Sequence, residues 1–261
     1  MCVRAAVLVT AVVGSLWWGA SCGVSQTKLD LRADANGNTP DNEPAVDAPP
    51  VVDATPDAKI CANGRVIFLN FDGVTITAAA TSDARQNQAS WIGTNVVVPA
   101  YRAGQGTRAT MITDITNLTR ASLAMFPVTV VTARPVSGEY IMITFGGDGT
   151  LFGFPNNTPA ITGLNCGATA RNGIAWVANA NTAQQAANVA IGATGISLGL
   201  TGIVENKPND CLCGWGGAVC PPDITQACTL APAVMRNTNN CPADPATQDE
   251  VAAFDQGFCK P

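Results

Sequence analysis

The chain of 261 residues contains no histidine. Imidazole is the usual general base and the commonest metal-ligating side chain, so its absence excludes a Ser-His-Asp triad, a Cys-His dyad and any histidine-bound metal within the chain. Charged residues are also scarce, at 13% of the sequence, and the net charge is −5. Without a basic surplus there is no electrostatic footprint for nucleic acid, and we expect no nucleic-acid partner. The hydrophobic share of 47% is ordinary for a globular protein.

The first residues have the pattern of an export signal. Arg4 precedes an apolar run at 5–13 that is too short to span a bilayer comfortably. The segment Gly19-Ala20-Ser21-Cys22 resembles a bacterial lipobox, although leucine is usual where Gly19 stands. The resemblance implies a signal peptide at 1–21 and a lipid on Cys22, which would anchor the protein to a membrane. A plain secretory signal with an incidental cysteine is the alternative.

The next segment, 22–60, has the composition of a disordered tether. It contains five prolines and seven acidic residues but no aromatic residue. Such a segment cannot bury enough apolar surface to offset the entropy lost on ordering. A lipid, an acidic stalk and a folded domain beyond it form a cell-surface layout. We therefore expect an extracytoplasmic protein of the cell envelope, at the outer membrane or cell surface.

The cysteines support export. Beyond Cys2 and Cys22 there are eight, an even number, and in an exported chain this favours disulfides. They are Cys61, Cys166, Cys211, Cys213, Cys220, Cys228, Cys241 and Cys259. Six of the eight fall within 204–261, a proline-rich stretch with little apolar periodicity. We expect this stretch to be irregular in structure and cross-linked by disulfides. A zinc site at Cys211, Cys213, Cys220 and Cys228 is the alternative, but this is no standard zinc-knuckle spacing, and we expect no metal or cofactor.

The segment 61–203 predicts an α+β domain. Apolar or β-branched runs at 66–71, 128–132, 140–145 and 174–177 indicate strands. Two main helices are expected. One at 106–126 has apolar residues at three- and four-residue spacing, and the other begins at the capping residue Thr182 and runs to about Leu200. Because strands and helices do not alternate strictly, we expect a mixed sheet.

A glycine-rich turn follows the third of these strands. Residues Gly146-Gly147-Asp148-Gly149-Thr150 resemble the phosphate loop of the NAD kinase and diacylglycerol kinase families. Glycines let backbone amides approach a phosphate, so the resemblance implies a phosphate or nucleotide site. The likeness covers about five residues, and Pro155 with Asn156 soon afterwards indicates a surface loop. A simple turn after a strand is the alternative.

A second glycine-rich stretch, 190–203, resembles the active-site helix of metzincin-type zinc peptidases, His-Glu-x-x-His-x-x-Gly-x-x-His. Gly195, Gly199 and Leu200 stand where that family has its frame residues. The three zinc-ligand positions, however, hold Gly192, Ile196 and Gly202, and the general-base position holds Ala193. The methionine of that family's turn beneath the zinc has its nearest counterpart here in Leu212.

Further residues carry the same resemblance. The run Leu69-Asn70-Phe71-Asp72-Gly73, the Val128–Thr132 strand and the Phe145-Gly146-Gly147 turn resemble peptidase-like lipoproteins of predatory and soil bacteria. The resemblance implies a zincin-like mixed sheet with two main helices. It also implies a site that has lost its chemistry, since glycine, isoleucine and alanine offer no lone pair to a metal and no base to its water.

We therefore expect a pseudoenzyme of this family with a binding role, whose ligand is a peptide or protein. One alternative is an active hydrolase that uses Asp148, Glu205 and Asp210 with calcium or another hard cation. Another is an ordinary helix whose glycines serve tight packing. Glycine costs roughly 1 kcal/mol relative to alanine in a helix interior, so a glycine-rich helix needs such a reason.

Overall fold

The computed structural model describes residues 6–8, 64–216, 220 and 222–259. The three helices are α1 (Arg108–Ser122), α2 (Ala183–Ser197) and α3 (Glu250–Cys259). The strands are β1 (Ala6–Leu8), β2 (Arg65–Asn70), β3 (Val74–Ala78), β4 (Gln88–Ala89), β5 (Val96–Val98), β6 (Val128–Val131), β7 (Tyr140–Phe145), β8 (Ala160–Gly163), β9 (Ile174–Val177), β10 (Val234–Met235) and β11 (Thr247–Gln248).

A mixed six-stranded sheet forms the centre of the fold, in the order β1-β8-β9-β7-β2-β6. Four consecutive strands of this sheet, β6, β2, β7 and β9, run parallel to one another. Strand β8 runs antiparallel to β9, and β1 runs antiparallel to β8. The whole of β7 is buried. An unbroken apolar strand is typical of a parallel sheet that is covered on both faces. The expected α+β class and mixed sheet are thus confirmed.

The two faces of the sheet are covered differently. Ile67, Ile141 and Ala175 lie in one apolar cluster with residues of all three helices. Their neighbours in the chain, Phe68 and Trp176, belong to a second cluster with the small sheet β4-β3-β5. Side chains of a strand alternate between faces, so each central strand contributes to both cores. The helices, the main sheet and the small sheet therefore form three layers.

Both predicted helices are present, and both are shorter than expected. The first spans Arg108–Ser122 rather than 106–126. The Thr182 side chain accepts a hydrogen bond from the amide of Gln185 and so caps α2, as predicted. The helix ends at Ser197 rather than near Leu200. Gly199 has a φ of 99°, a conformation that glycine adopts readily, and the Leu200 amide turns back to the Gly195 carbonyl. Gly199 is therefore a turn residue and not a glycine of the helix interior.

The C-terminal part is less irregular than the sequence predicts. It contains the β10-β11 ribbon and a third helix, α3, where only two main helices were expected. Phe254 and Phe258 are fully buried, and their rings contact Phe126. Residues four apart lie on one helical face, so α3 presents both rings to the core. This segment packs into the same apolar cluster as the sheet and α2.

Disulfides join Cys166 to Cys241, Cys211 to Cys228 and Cys213 to Cys220. Cys259 is disulfide-bonded as well, whereas Cys61 lies outside the described residues. The expected disulfide framework is confirmed for these cysteines. The alternative of a four-cysteine zinc site is wrong, because its four thiols are consumed in two bridges. The Cys166–Cys241 bridge closes the longest of the three loops, at a separation of 75 residues. By the chain-entropy model it contributes about 4 kcal/mol.

Several expectations about the N-terminal region fall on residues that the structure does not describe. These are the lipid on Cys22, the tether at 22–60 and, apart from β1, the signal at 1–21. Among the described residues, no helix is both long and apolar enough to cross a membrane.

Candidate functional site

The second half of α2 is buried on all sides, from Ala190 to Ser197. Its N-terminal end is fixed by the Thr182 cap, and its sequence of alanine, glycine and isoleucine lets neighbouring segments approach closely. The hydroxyls of Thr194 and Ser197 donate hydrogen bonds to backbone carbonyls one turn earlier in the helix. The helix that carries the metzincin-like pattern is therefore a core helix.

Two of the three ligand-equivalent positions meet at one residue, Trp215. A Cβ on Gly192 would overlap the indole Nε1 of Trp215 and lie 2.5 Å from the backbone oxygen of Cys211. A Cβ on Gly202 would overlap the backbone carbonyl of Trp215. Trp215 is 2% exposed. Gly192 and Gly202 thus converge from either side of the Gly199 turn on a space that Trp215 fills.

The remaining positions of the pattern are also buried. Ile196 lies one turn after Gly192 on the same helical face, and both it and Ala193 are fully buried in the apolar core. A small cavity separates α2 from the disulfide loops, and its lining includes Asn188, Asp210 and Trp215. Its volume is about 30 Å³. That is room for only a water or two among the described residues that line it.

Leu212, the residue in place of the turn methionine, packs beneath the helix. A Cβ on Gly195 would lie 3.2 Å from the side chains of Leu212, Leu200 and Phe254. Gly195 and Gly192 therefore serve close packing, as the alternative interpretation of this helix requires. Sequence alone did not indicate that Trp215 and α3 supply the partners.

Next to this region lies a buried pair of carboxyl groups that the sequence did not reveal as a pair. Asp210 and Glu250 are 5% and 0% exposed, and their side chains are hydrogen-bonded to each other. Asp210 also accepts from the Leu212 amide, and Glu250 accepts from the Ala231 amide and from the Gln248 side chain. The pair ties α3 to the loop that carries Leu212.

The pair holds a proton near neutral pH. Burial, followed by the charge of Asp210, raises the pKa of Glu250 to about 8. Burial also raises the pKa of Asp210. Two carboxylates in contact cannot both be charged cheaply where they are buried, and a shared proton relieves the repulsion. Forty residues separate the partners, so no local pattern could have identified them.

The three carboxylates of the alternative hydrolase each have a local structural partner. Asp148 is exposed and accepts hydrogen bonds from the Thr150 hydroxyl and from the Thr150 amide, which lower the pKa of its carboxyl. Glu205 is paired with Lys207 and accepts from the Met235 amide. Within the described part of the chain, no three histidine, cysteine or acidic residues are grouped so that they could hold a metal ion.

Two amides of the candidate phosphate loop, those of Gly146 and Thr150, are hydrogen-bonded within the protein. The Gly146 amide donates to the carbonyl of Val177, and the Thr150 amide donates to Asp148. A Cβ on Gly146 would overlap the Pro99 carbonyl, so this glycine is explained by a close approach of two backbone segments. The short 3₁₀ helix at Gly149–Phe152 begins here, and Asp148 caps it.

The outer edge of β8 is a second feature that the sequence did not reveal. Strand β1 pairs with it antiparallel, with Ala6 opposite Gly163, Val7 opposite Thr162 and Leu8 opposite Ile161. This edge therefore accepts an extended segment by backbone hydrogen bonding. The opposite edge strand is β6, where the guanidinium of Arg120 donates two hydrogen bonds to the Val130 carbonyl. Charged side chains at a sheet edge discourage further pairing.

Comparison with known proteins finds no match among protein-family models, curated proteins or solved structures.

The buried carboxyl pair predicts how stability depends on pH. The Glu250 pKa rises from 4.5 to about 8 in the folded state. Folding takes up a proton between these values, so the free energy of unfolding falls as the pH rises from about 5 to about 8. We expect a loss on the order of 3 kcal/mol in urea unfolding. Glu250→Gln removes the titration and should flatten the profile.

The matched control is Glu139→Gln, which alters a partly exposed glutamate paired with Arg171. Its profile should follow that of the unaltered protein. A wild-type stability that is constant between these pH values would contradict the shared proton.

Proposed function

We propose that the chain is a non-catalytic, metzincin-like protein that binds an extended peptide along the edge of β8. The observation that carries the first half of this proposal is Trp215, which fills the space that side chains at Gly192 and Gly202 would need. A metal at these positions would have neither ligands nor room. A hydrolytic water would have no base, since Ala193 stands at that position.

The metzincin-like ancestry has three supports. Helix α2 lies on a mixed sheet with a second helix, α1, also in the core beside it. The chain turns sharply at Gly199, as the family pattern requires of that glycine. The positions Gly192 and Gly202 converge on one residue across that turn. The same glycines also serve tight packing.

The second half of the proposal rests on β8. Main-chain hydrogen bonds to an exposed strand supply affinity for an extended peptide, and side-chain pockets supply selectivity. In this structure the edge holds Ala6–Leu8. This segment lies within the proposed signal peptide. Its removal on export would leave the backbone groups of β8 unpaired and open to another extended chain.

Lipid attachment at Cys22, with the acidic segment 22–60 as a stalk, completes the proposed arrangement. The domain would stand at the cell envelope on a membrane anchor and present the β8 edge to a peptide or protein partner. Neither a cofactor nor a nucleic acid enters this proposal.

Metal analysis tests the non-catalytic half. The oxidised protein, dialysed against zinc and then against buffer, should retain well under one zinc per chain by mass spectrometry. Incubation with a broad peptide library, with and without chelator, should yield no cleavage above the background of heat-denatured protein. One tightly held zinc per chain, or cleavage that a chelator abolishes, would contradict the proposal.

Peptide binding tests the β8 half. The full-length chain is refolded under oxidising conditions, so that residues 1–21 stay attached. In one variant, Val7→Pro/Leu8→Pro, at least one ladder amide of β1 is lost, because alternate residues face the neighbouring strand. A labelled peptide of residues 3–10 should bind this variant about tenfold more tightly than the unaltered chain in fluorescence polarisation.

The matched control is Val12→Pro/Val13→Pro, which places the same substitutions in the same apolar run outside β1. It should bind the peptide as weakly as the unaltered chain does. Failure of the first variant to bind the peptide at all would overturn the peptide-binding role.

A further inference from the structure

One position of β8 stands out because it has no side chain of its own. Gly163 faces the indole of Trp91, and a Cβ there would lie 3.0 Å from Trp91 Cδ1. The indole is held in place, since its Nε1 donates to the Ile174 carbonyl at 3.0 Å. Its ring also contacts Phe152, which in turn contacts Trp176. Trp91 itself is only partly buried, so one side of this fixed ring is accessible.

Strand geometry decides which residue of a bound peptide meets Trp91. Residues directly opposite each other on antiparallel strands project to the same face of the sheet. The peptide residues opposite Gly163 and Ile161 therefore point to the face that carries Trp91, and the residue opposite Thr162 points to the α2 face. Because Gly163 offers no side chain, the peptide residue opposite it has Trp91 as its neighbour.

Two cavities give the peptide residue opposite Gly163 room, one lined by Gly163 and Ser90 and the other by Trp91. One, of about 420 Å³, runs along the end of β8 from Gly163 to Cys166. The other, of about 320 Å³, lies between the segment 91–96 and Phe152 with Phe154. An alanine at the peptide position opposite Gly163 would leave such space unfilled, and a large side chain would fill it.

The residues that line the larger cavity indicate which kind of peptide side chain fits opposite Gly163. The described residues that line it are uncharged, and several carry hydroxyl groups, namely Thr81, Ser82, Ser90, Thr162, Thr169 and Ser197. Ser82 and Ser90 are hydrogen-bonded to each other at 3.1 Å, close to the side of Gly163 that faces Trp91. A peptide side chain with an aromatic ring would stack on Trp91, and a neutral polar group at the end of that ring would hydrogen-bond to the hydroxyl groups.

We propose that Trp91 and Gly163 form the specificity pocket of the β8 edge, which selects tyrosine at the peptide position opposite Gly163. The inference rests on the proposed peptide binding along β8 and names the side chain that this site prefers. Trp91 occupies the space that a side chain at Gly163 would need and so lies beside the peptide position opposite it, where it stacks against the tyrosine ring. The hydroxyls of Ser82 and Ser90, on the same side of Gly163, face the phenol.

The test uses the full-length Val7→Pro/Leu8→Pro chain and three labelled peptides of residues 3–10, with alanine, tyrosine or glutamate at position 6. We expect the tyrosine peptide to bind about tenfold more tightly than the alanine peptide. The glutamate peptide should bind no better than the alanine peptide, because the pocket offers its charge no partner.

Variants assign the preference to the pocket. Trp91→Ala should reduce the tyrosine preference to within about twofold while the alanine peptide binds as before, whereas Trp91→Phe should keep most of it. Gly163→Val, whose side chain would press on the Trp91 indole and displace it, should also abolish the preference. Met125→Ala, at an exposed methionine before β6, is the control and should change nothing.

The outcomes separate the two proposals. If the alanine peptide binds but the tyrosine peptide binds equally well, or if the preference survives Trp91→Ala in a folded variant, the specificity pocket is wrong and binding along β8 stands. If none of the three peptides binds, peptide binding along β8 fails and the pocket fails with it.

Discussion

The contact of Trp215 with Gly192 and Gly202 is the constraint on which the rest of the structure depends. Gly192 lies in the helix and Gly202 beyond its C-terminal turn, yet neither tolerates a side chain because the same residue occupies the space. Trp215 is in turn placed by a loop that two disulfides fix, Cys211–Cys228 and Cys213–Cys220. The cysteine-rich part therefore packs against α2 as part of the core.

This contact separates the two surfaces that a peptide-binding protein of this architecture could use. On the α2 side the space is filled, and a cavity of about 30 Å³ remains. The sheet edge at β8 is unaffected, because it lies on a different strand and forms its bonds through the backbone. The proposed loss of chemistry at the helix is therefore compatible with the proposed peptide binding at the edge.

The sequence pattern correctly predicted those features of the structure that depend on residues close together in the chain. The Tyr140–Phe145 strand and the Thr182 cap depend on neighbouring residues, and both appear where expected. Sequence pattern missed α3, since prolines and cysteines obscured the spacing of Phe254 and Phe258. It also missed β8, a four-residue strand between turns. The Asp210–Glu250 pair and the position of Trp215 arise from segments that meet only in the folded chain. The sequence indicated that Gly192 and Gly202 are unusual, but it did not predict that both contact Trp215.

The sign of one stability change tests the central contact most directly. In an unconstrained helix, Gly→Ala stabilises by roughly 1 kcal/mol, because alanine has the higher helix propensity. At Gly192 the added Cβ would overlap the Trp215 indole and press on the Cys211 carbonyl, and overpacking of this kind costs about 1–3 kcal/mol. Urea unfolding of Gly192→Ala should therefore show a loss of stability. An unchanged or increased free energy of unfolding would contradict the account, since it would mean that the space beside Gly192 is open.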